Sequence, residues 1–325
     1  MRTLVTGAGG FIGRGLVERL VADLVAKPNA ATLCLTDLDL SGAGDGSTTG
    51  DPRIVGIEGD IVDAPLQARL FAEPIDAVFH LAGVVSGAAE RDFGLGKRVN
   101  LDATIALLEH CRQQAERGGP LVRFTYASSI AVFGAPLPGR IDDATPAVPG
   151  LSYGAHKRAC EVLIDDYTRR GFIDGRALRL PGVVVRPRTP NGALSAFNSD
   201  LIREPLAGRD YVCPVGRDAT LWVVSRWRAV DALRRLAAID GEALGRVRAV
   251  NMPALRVEVG AIVEALARAK PGSETHVRFE PQVALEAQFA RWPLAASFDR
   301  GQTLGLCADT SLDEVITRHL KDDRP

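Results

Sequence analysis

The stretch Thr6-Gly7-Ala8-Gly9-Gly10-Phe11-Ile12-Gly13 decides the fold. It follows a short apolar run, Leu4 to Thr6, and opens a segment from Phe11 to Leu24 whose apolar residues recur at three and four, the period of a helix with one buried face. A strand that turns through glycines into a helix leaves the first helical N–H groups unpaired, with the positive end of the helix dipole at the turn. Gly7 allows the tight turn, Gly10 lets backbone approach a pyrophosphate, and Gly13 lets helix pack closely on strand. Phe11 and Ile12 begin the helix on which the phosphates would rest. A glycine turn alone is a weak signal, because any tight strand-to-helix turn needs glycine. Its strand before and helix after make it a dinucleotide-binding fingerprint.

Outward from this turn the chain alternates. Ala31 to Thr36, Arg53 to Ile57, Ala77 to His80 and Val122 to Ala127 are short apolar runs bounded by Gly, Asp or Ser, as in strands buried on both faces of a parallel sheet. Ala64 to Phe71 and Arg98 to Gln113 carry the helical period, and a further helix begins near Tyr153 and stops at Gly171. Arg176 to Val185 is expected as one more strand. This pattern predicts an α/β protein with a Rossmann, doubly wound parallel sheet. Past Pro187 Pro and Gly become frequent and the rhythm fades. We therefore expect residues 1–187, rejoined by 228–250, to form the nucleotide-binding domain. Residues 188–227 and 251–325 are expected to form a small C-terminal substrate-binding lobe. The Gly/Ser/Asp stretch Ser41 to Gly50 reads as a surface loop.

The chain has 325 residues, 46% of them hydrophobic and 24% charged, with a formal net charge of −1. A chain so balanced gives no reason to expect nucleic acid or an anionic membrane as partner, since both favour a strongly basic face. Met1 to Thr6 runs straight into the glycine turn, so no signal segment is expected, and no run suits a bilayer span. The five cysteines (Cys34, Cys111, Cys160, Cys213, Cys307) are odd in number and lack a CxxC pair. They read as thiols of a cytoplasmic protein, with neither disulfide framework nor metal site.

Asp37, at the end of the second strand, lies where a carboxylate would accept from an adenosine ribose 2′-hydroxyl and repel a 2′-phosphate. That favours NAD over NADP; Asp39 is the competing position. Asp60-Ile61 would lie beside adenine. His80-Leu81-Ala82-Gly83 closes the fourth strand with small residues where backbone passes under the cofactor, His80 itself reading as a core histidine. Tyr153 and Lys157, spaced i and i+4, share one helix face. A phenol is a poor base near neutrality unless a cation favours the phenolate, and Lys157 is placed to supply one. Ser129, at the end of the fifth strand, can hold a substrate oxygen against Tyr153.

With TGxxGFIG at 6–13, HLAG at 80–83, the Asn100 region, SSxAVFG at 128–134 and YxxxK at 153–157, the chain resembles the extended short-chain dehydrogenase/reductase family of NAD-dependent epimerase/dehydratase type. The resemblance implies an NAD-dependent oxidoreductase in which Ser129, Tyr153 and Lys157 form the catalytic triad. It also implies that Asn100 supports a water-linked proton path, or serves as a structural amide, and that Pro181, Gly182 and Val183 contact the carboxamide. The stretches His80 to Glu90, Gly171 to Pro181, Val183 to Pro187 and Ile202 to Leu206 are similar to the branch that oxidises short sugar acids. This implies oxidation at the 2-hydroxyl, with D-erythronate as the candidate substrate. Thr220-Leu221-Trp222 lacks the arginine before an aromatic that holds a diphosphate in sugar-nucleotide epimerases. A threonine expected at position 182 is Gly182 instead. Ser86, Asn191 and Arg203 are candidates to hold the substrate carboxylate. The alternative is a sugar-nucleotide epimerase or dehydratase. A cofactor sensor without chemistry would have no need of an activated phenol. Family members commonly pair through two helices, here Arg98–Gln113 and Tyr153–Arg169, so a homodimer is expected, with Leu107, Leu108, Val162 and Leu163 available to that seam or to the core.

Overall fold

The computed structural model describes residues 1–26, 31–41, 43, 50–134, 136–188, 196–283, 285–286, 293 and 295–322. In chain order the strands are β1 (Arg2–Thr6), β2 (Thr32–Asp37), β3 (Ile54–Glu58), β4 (Ala77–His80), β5 (Val122–Ser129), β6 (Arg140–Ile141), β7 (Ile173–Leu180), β8 (Gly182–Val184), β9 (Tyr211–Cys213), β10 (Thr220–Ser225), β11 (Ala249–Asn251), β12 (Leu255–Glu258), β13 (Val277–Phe279) and β14 (Ala295–Ala296). The α-helices are α1 (Phe11–Ala26), α2 (Ala64–Leu70), α3 (Ser86–Arg91), α4 (Phe93–Gly96), α5 (Ala103–Glu116), α6 (Ser152–Arg169), α7 (Phe197–Leu206), α8 (Arg226–Ala238), α9 (Gly241–Leu244), α10 (Val259–Ala269), α11 (Asp299–Thr303) and α12 (Leu312–Asp322). A π-helical turn, Lys97–Asp102, leads into α5.

The chain divides into two compact units, and one of its crossings between them falls inside α8. The first holds residues 1–132, 149–179 and 230–250. Its seven-stranded sheet has the order β3-β2-β1-β4-β5-β7-β11. β1 pairs parallel with β2 and β4, β2 with β3, and β4 with β5. This is the Rossmann order, which reverses direction between β1 and β4 and opens a crevice at the carboxyl ends of those two strands. Leu4, Val78, Phe124 and Ala177 from the sheet bury against Leu70, Leu107, Leu108 and Ile164 from the helices.

The second unit holds residues 133–148, 180–229 and 251–325. In it β8 pairs parallel and β12 antiparallel with β10. Val184, Leu221 and Val223 pack with Leu201 and Ile202 of α7, Ile262 and Leu266 of α10, and Val315 and Ile316 of α12.

The single strand expected over Arg176 to Val185 is two strands in two sheets. β7 ends at Leu180 in the central sheet, and β8 starts at Gly182 beside β10. Pro181 stands at the break, where its missing N–H removes a ladder bond. Residues 180–187, grouped in our reading with the nucleotide-binding domain, thus pack with the second unit, as does 133–148. The helix stop at Gly171 (φ 75°) has a clear cause. Phe172 N–H donates to Tyr167 O and Gly171 N–H to Thr168 O, while the Tyr167 and Phe172 rings meet edge-on at 5.9 Å. This is a Schellman closure with its apolar contact. Among the described residues no helix is long and apolar enough to cross a membrane.

Candidate active site

The glycine turn joins the end of β1 to α1. Gly7 has φ 73°, and a Cβ there would lie 2.6 Å from Ala82 N, so only glycine lets the turn pass against the residues after β4;. A Cβ on Gly13 would lie 1.9 Å from Gly7 O, which explains the tight seating of helix on strand. At Gly10 an added Cβ would meet only Gly7 O within 4 Å, at 3.2 Å. The space above Gly10 is the open cradle that a pyrophosphate requires. Arg14 N–H donates to Gly10 O. The N–H groups of Ile12 and Gly13, ahead of it, stand at the helix mouth, where an anion is favoured; Phe11 is the first helical residue.

Asp37, the last residue of β2, reaches this turn. Its Oδ2 accepts from Gly9 N–H at 2.9 Å and its Oδ1 from Leu38 N–H at 2.7 Å. Burial pushes its carboxyl upward, although the backbone donors from Leu38, Gly9 and Gly10 oppose that shift. Asp39 is turned away. It accepts from Ser41 N–H, and the Ser41 side chain and backbone hold it below the usual carboxylate range. Gly9 is a functional glycine that our reading left without a role. A Cβ there would lie 2.1 Å from Asp39 O, so the approach of the β2 end to the turn depends on it. Asp60 uses its side chain locally, accepting from Val62 N–H. Ile61 packs in the core, and its carbonyl accepts from Gln67.

The segment after β4 is tied down by a buried polar chain. Ala82 N–H donates to Thr6 Oγ1, which lies 2.6 Å from His80 Nδ1. His80 Nε2 lies 2.9 Å from Thr104 Oγ1, which donates to Asn100 O. With the Thr104 hydroxyl proton directed at Asn100 O, Thr104 Oγ1 accepts from His80 Nε2–H, and Nδ1 is left to accept from the Thr6 hydroxyl;. Burial, and to a lesser degree Lys157, push its pKa down to about 3. His80 is therefore a neutral core histidine. Leu81 N–H donates to Thr6 O, and Gly83 passes close to Asn100 Oδ1. Asn100 sits in the π-helical turn, 1% exposed. Its Oδ1 accepts from Val84 N–H at 2.9 Å, and its Nδ2 donates to Val84 O at 3.1 Å. The side chain is a backbone clamp.

Ser129 is the last residue of β5, and its Oγ accepts from Ala131 N–H at 3.1 Å. Tyr153 is the second residue of α6, whose first N–H, from Ser152, is accepted by Glu90 of α3. Lys157 is 4% exposed. Its Nζ donates to Ala127 O at 2.7 Å and lies 5.7 Å from the Tyr153 ring centre and 4.5 Å from that of Tyr126. The helix comes this close because of Gly154, where a Cβ would lie 2.0 Å from Ala131 O. A glycine between the tyrosine and the lysine was the available signal for that contact. All three candidates thus belong to one unit, on the end of β5 and the first turns of α6.

In the second unit Val183 lies in β8 and Pro181 just before it. A Cβ on Gly182 would lie 2.9 Å from Asn198 Nδ2 and 3.0 Å from Trp222 O, so a threonine would not fit without movement. Arg203 is committed within its own unit. It donates to Arg186 O and pairs with Asp200 and with Glu204 at 2.9 Å. Ser86 opens α3 in the first unit and is partly buried. Asn191 lies outside the described residues. Trp222 is 2% exposed, donates to Pro293 O at 2.9 Å and packs edge-on against Phe298. It is a core residue.

The glycine cradle, the open helix mouth and the Asp37 carboxylate beside them fit a dinucleotide. Among the described residues no group of three His, Cys, Asp or Glu is placed to hold a metal ion.

Residues 3–226 match the model of the NAD dependent epimerase/dehydratase family. A D-erythronate dehydrogenase of Cupriavidus necator is 43% identical over 99% of this chain and 98% of its own length. One of Haemophilus influenzae is 35% identical over 99% and 100%. A solved structure described as the nucleoside-diphosphate-sugar epimerase from Agrobacterium tumefaciens superposes with a TM-score of 0.89 at 37% identity, covering 99% of this chain and 94% of that one. With its glycine cradle, Rossmann order and whole-chain relatives, the chain belongs to the NAD-dependent epimerase/dehydratase family and is an NAD-dependent oxidoreductase.

Proposed function

We propose that this protein oxidises a short sugar acid at its 2-hydroxyl, with D-erythronate going to 2-oxo-erythronate as the candidate reaction. The observation that carries the chemistry is Lys157 Nζ, buried 5.7 Å from the Tyr153 ring and anchored to Ala127 O, two residues before Ser129. A cation held there offsets the negative charge that crosses the Tyr153 oxygen as a proton moves. Tyr153 then takes the proton of the substrate hydroxyl, and Ser129 Oγ–H donates to the same substrate oxygen, whose position it fixes. NAD, when bound, supplies the hydride acceptor. The turn at Gly7–Gly13 and Asp37 bind its pyrophosphate and ribose, and Leu81 to Gly83 form the floor beneath it. Asp60, Ile61, Pro181 and Val183 remain proposed cofactor contacts. The choice of a sugar acid rests on the names of the Cupriavidus and Haemophilus relatives.

Initial rates of NADH formation with NAD, NADP and a panel of four-carbon sugar acids test the reading. Reduction of NAD by D-erythronate supports it; silence across the panel with NAD bound sinks it. The name of the Agrobacterium structure favours a second reading, sugar-nucleotide epimerisation or dehydration without net NADH. Against it, Thr220, Leu221 and Trp222 are all buried and bring no arginine to the site of the diphosphate clamp;.

We also propose a cytoplasmic homodimer. Leu107 and Leu108 are fully buried within the first unit, whereas Val162 on α6 is 49% exposed. The seam would thus use Val162 and leave the two leucines in the core. Light scattering should give twice the 34.6 kDa chain mass, and Val162→Glu should shift it toward one chain.

A further inference from the structure

We propose that Glu161, acting with Ser128 and Arg179, is a positioning residue that sets the mutual register of Ser129 and the Tyr153–Lys157 helix. This rests on the roles proposed above for those segments.

Glu161 is 1% exposed, and both its oxygens are filled. Oε1 accepts from Ser128 Oγ at 2.6 Å and from Arg179 Nε at 2.9 Å. Oε2 accepts from Arg179 Nη2 at 2.8 Å and from Arg158 Nη1 at 3.1 Å. These partners stand on three elements. Glu161 is on α6, four residues past Lys157 and eight past Tyr153, hence on the same helix face. Ser128 is on β5 and immediately precedes Ser129. Arg179 is on β7, the strand next to β5.

Consecutive residues of β5 are thereby tied to successive turns of α6. Ala127 O accepts from Lys157 Nζ, and Ser128 Oγ donates to Glu161 Oε1. Two bonds spaced along both elements fix the slide of helix over strand in a way that apolar packing alone would not. Leucine and methionine at these places would fill the same volume without the desolvation cost of a buried ion pair. What they would lack is directionality. A carboxylate that accepts from strand and helix at once permits one phase of α6 relative to β5, and so one separation of Tyr153 from Ser129. Misplacement of reacting groups by about 1 Å costs up to about a hundredfold in rate.

Ser128→Ala is the discriminating variant, because Glu161 keeps both arginines and its charge stays paired. Amide hydrogen exchange on the protein without cofactor should rise together in residues 127–131 and 152–158 while residues 7–13 stay unchanged. NADH affinity and KM should stay within about twofold and kcat fall about tenfold, the pattern of an interaction expressed only in the transition state. Ser128→Thr, which keeps the hydroxyl, should restore exchange and kcat. Glu161→Gln should have the larger effect if it folds, and Ser128→Ala decides the matter if it does not. Unchanged exchange at 152–158, unchanged kcat, or losses in NADH affinity and melting temperature that parallel kcat would overturn the proposal. Should the wild type reduce no NAD with any sugar acid, the exchange experiment still decides. A coupled rise then upholds the positioning role while the substrate reading falls.

Discussion

The carboxyl ends of β1, β4 and β5 and the region around α7 are equally rich in polar side chains, but they use them differently. In the first unit the deep polar groups spend their hydrogen bonds on holding others in place. Asn100 clamps Val84, His80 joins two threonines, and Glu161 gathers Ser128 and Arg179. What they hold is left with capacity. Among the described residues the Tyr153 hydroxyl has no hydrogen-bond partner, and Ser129 Oγ accepts without donating. Around α7 the charges close on themselves, Arg203 on Asp200 and Glu204, and Arg209 on Glu204. A side chain's chemistry is available only where its neighbours leave it so. The test of this contrast is that changes to the groups held available in the first region should cost rate or affinity, while changes to the groups that hold them, and to the charges around α7, should also or only cost stability.

The largest expected effect is on Tyr153. Tyr153→Phe keeps the ring beside Lys157 and removes the proton acceptor, so kcat should fall roughly a thousandfold with little change in melting temperature. A loss under about tenfold would remove Tyr153 from the chemistry. His80 gives the next effect, a pH dependence of stability. With its pKa pushed down to about 3 by burial, the ring is neutral in the fold, while the unfolded chain titrates near pH ~6.5. Above that pH neither state binds the proton and nothing changes. As pH falls below it the unfolded chain takes a proton that the fold refuses, so stability drops by up to about 1.4 kcal/mol per pH unit down to about pH 3. His80→Gln removes this slope. Denaturant unfolding at pH 7 and pH 5 should show the gap between wild type and variant narrowing; a constant gap would mean the histidine titrates normally in the fold.

The contrast also separates what sequence can show from what it cannot. The glycine turn and the Tyr153–Lys157 pair were legible because their geometry is local: a turn of eight residues and one helical turn. Asp37 was legible to within two residues, since strand length brings a carboxylate to about the right place. What ties it, and not the Asp39 side chain, to the glycine turn is a backbone N–H from Gly9, which lies 28 residues away. The strand partners of Glu161 lie 18 and 33 residues off, and nothing in the helical period marks that residue as different from a solvated glutamate. The strand break at Pro181 was hidden because two short apolar runs in different sheets read as one long run. The π-helical turn at Lys97–Asp102 was hidden too, since the apolar period continues on both sides of one extra residue. The partners of Arg203 were hidden for a different reason: Asp200, three residues before it, and Glu204, next to it on α7, look like ordinary surface charge in the sequence.

Asp37 sharpens the comparison on the affinity side. Its Oδ2 accepts from Gly9 N–H and its Oδ1 from Leu38 N–H, and a carboxylate has lone pairs beyond these for a ribose hydroxyl. Asp37→Ala deletes a hydrogen bond to a charged acceptor, typically about 1.5–3 kcal/mol, or roughly a ten- to hundredfold rise in KM for NAD. It also removes the charge that repels a 2′-phosphate, so KM for NADP should fall, while kcat with saturating NAD stays near its starting value. Asp39→Ala is the control and should move neither. If the two variants behave alike, the hydrogen bond from Gly9 is a matter of turn geometry and not of cofactor choice.

The smallest effect, and the one that could break the contrast, concerns Arg203. Its side chain is 12% exposed, bonded to Arg186 O, and shares Glu204 with Arg209. Arg203→Leu keeps the aliphatic bulk and strips the donors. Glu204 retains Arg209, so the charge left behind is not isolated, and Asp200 is exposed enough for water to answer it. The cost should therefore stay near that of a single unsatisfied acceptor, about 1–2 kcal/mol of unfolding free energy. KM for a sugar acid should not move. A substrate carboxylate held by Arg203 would require the arginine to leave Asp200 and Glu204, exchanging two carboxylates already in place for one that must first be bound. A variant with unchanged melting temperature and a KM raised about tenfold or more would show that this exchange occurs. The second region would then be as available for chemistry as the first, with its charges closing on themselves only until substrate arrives.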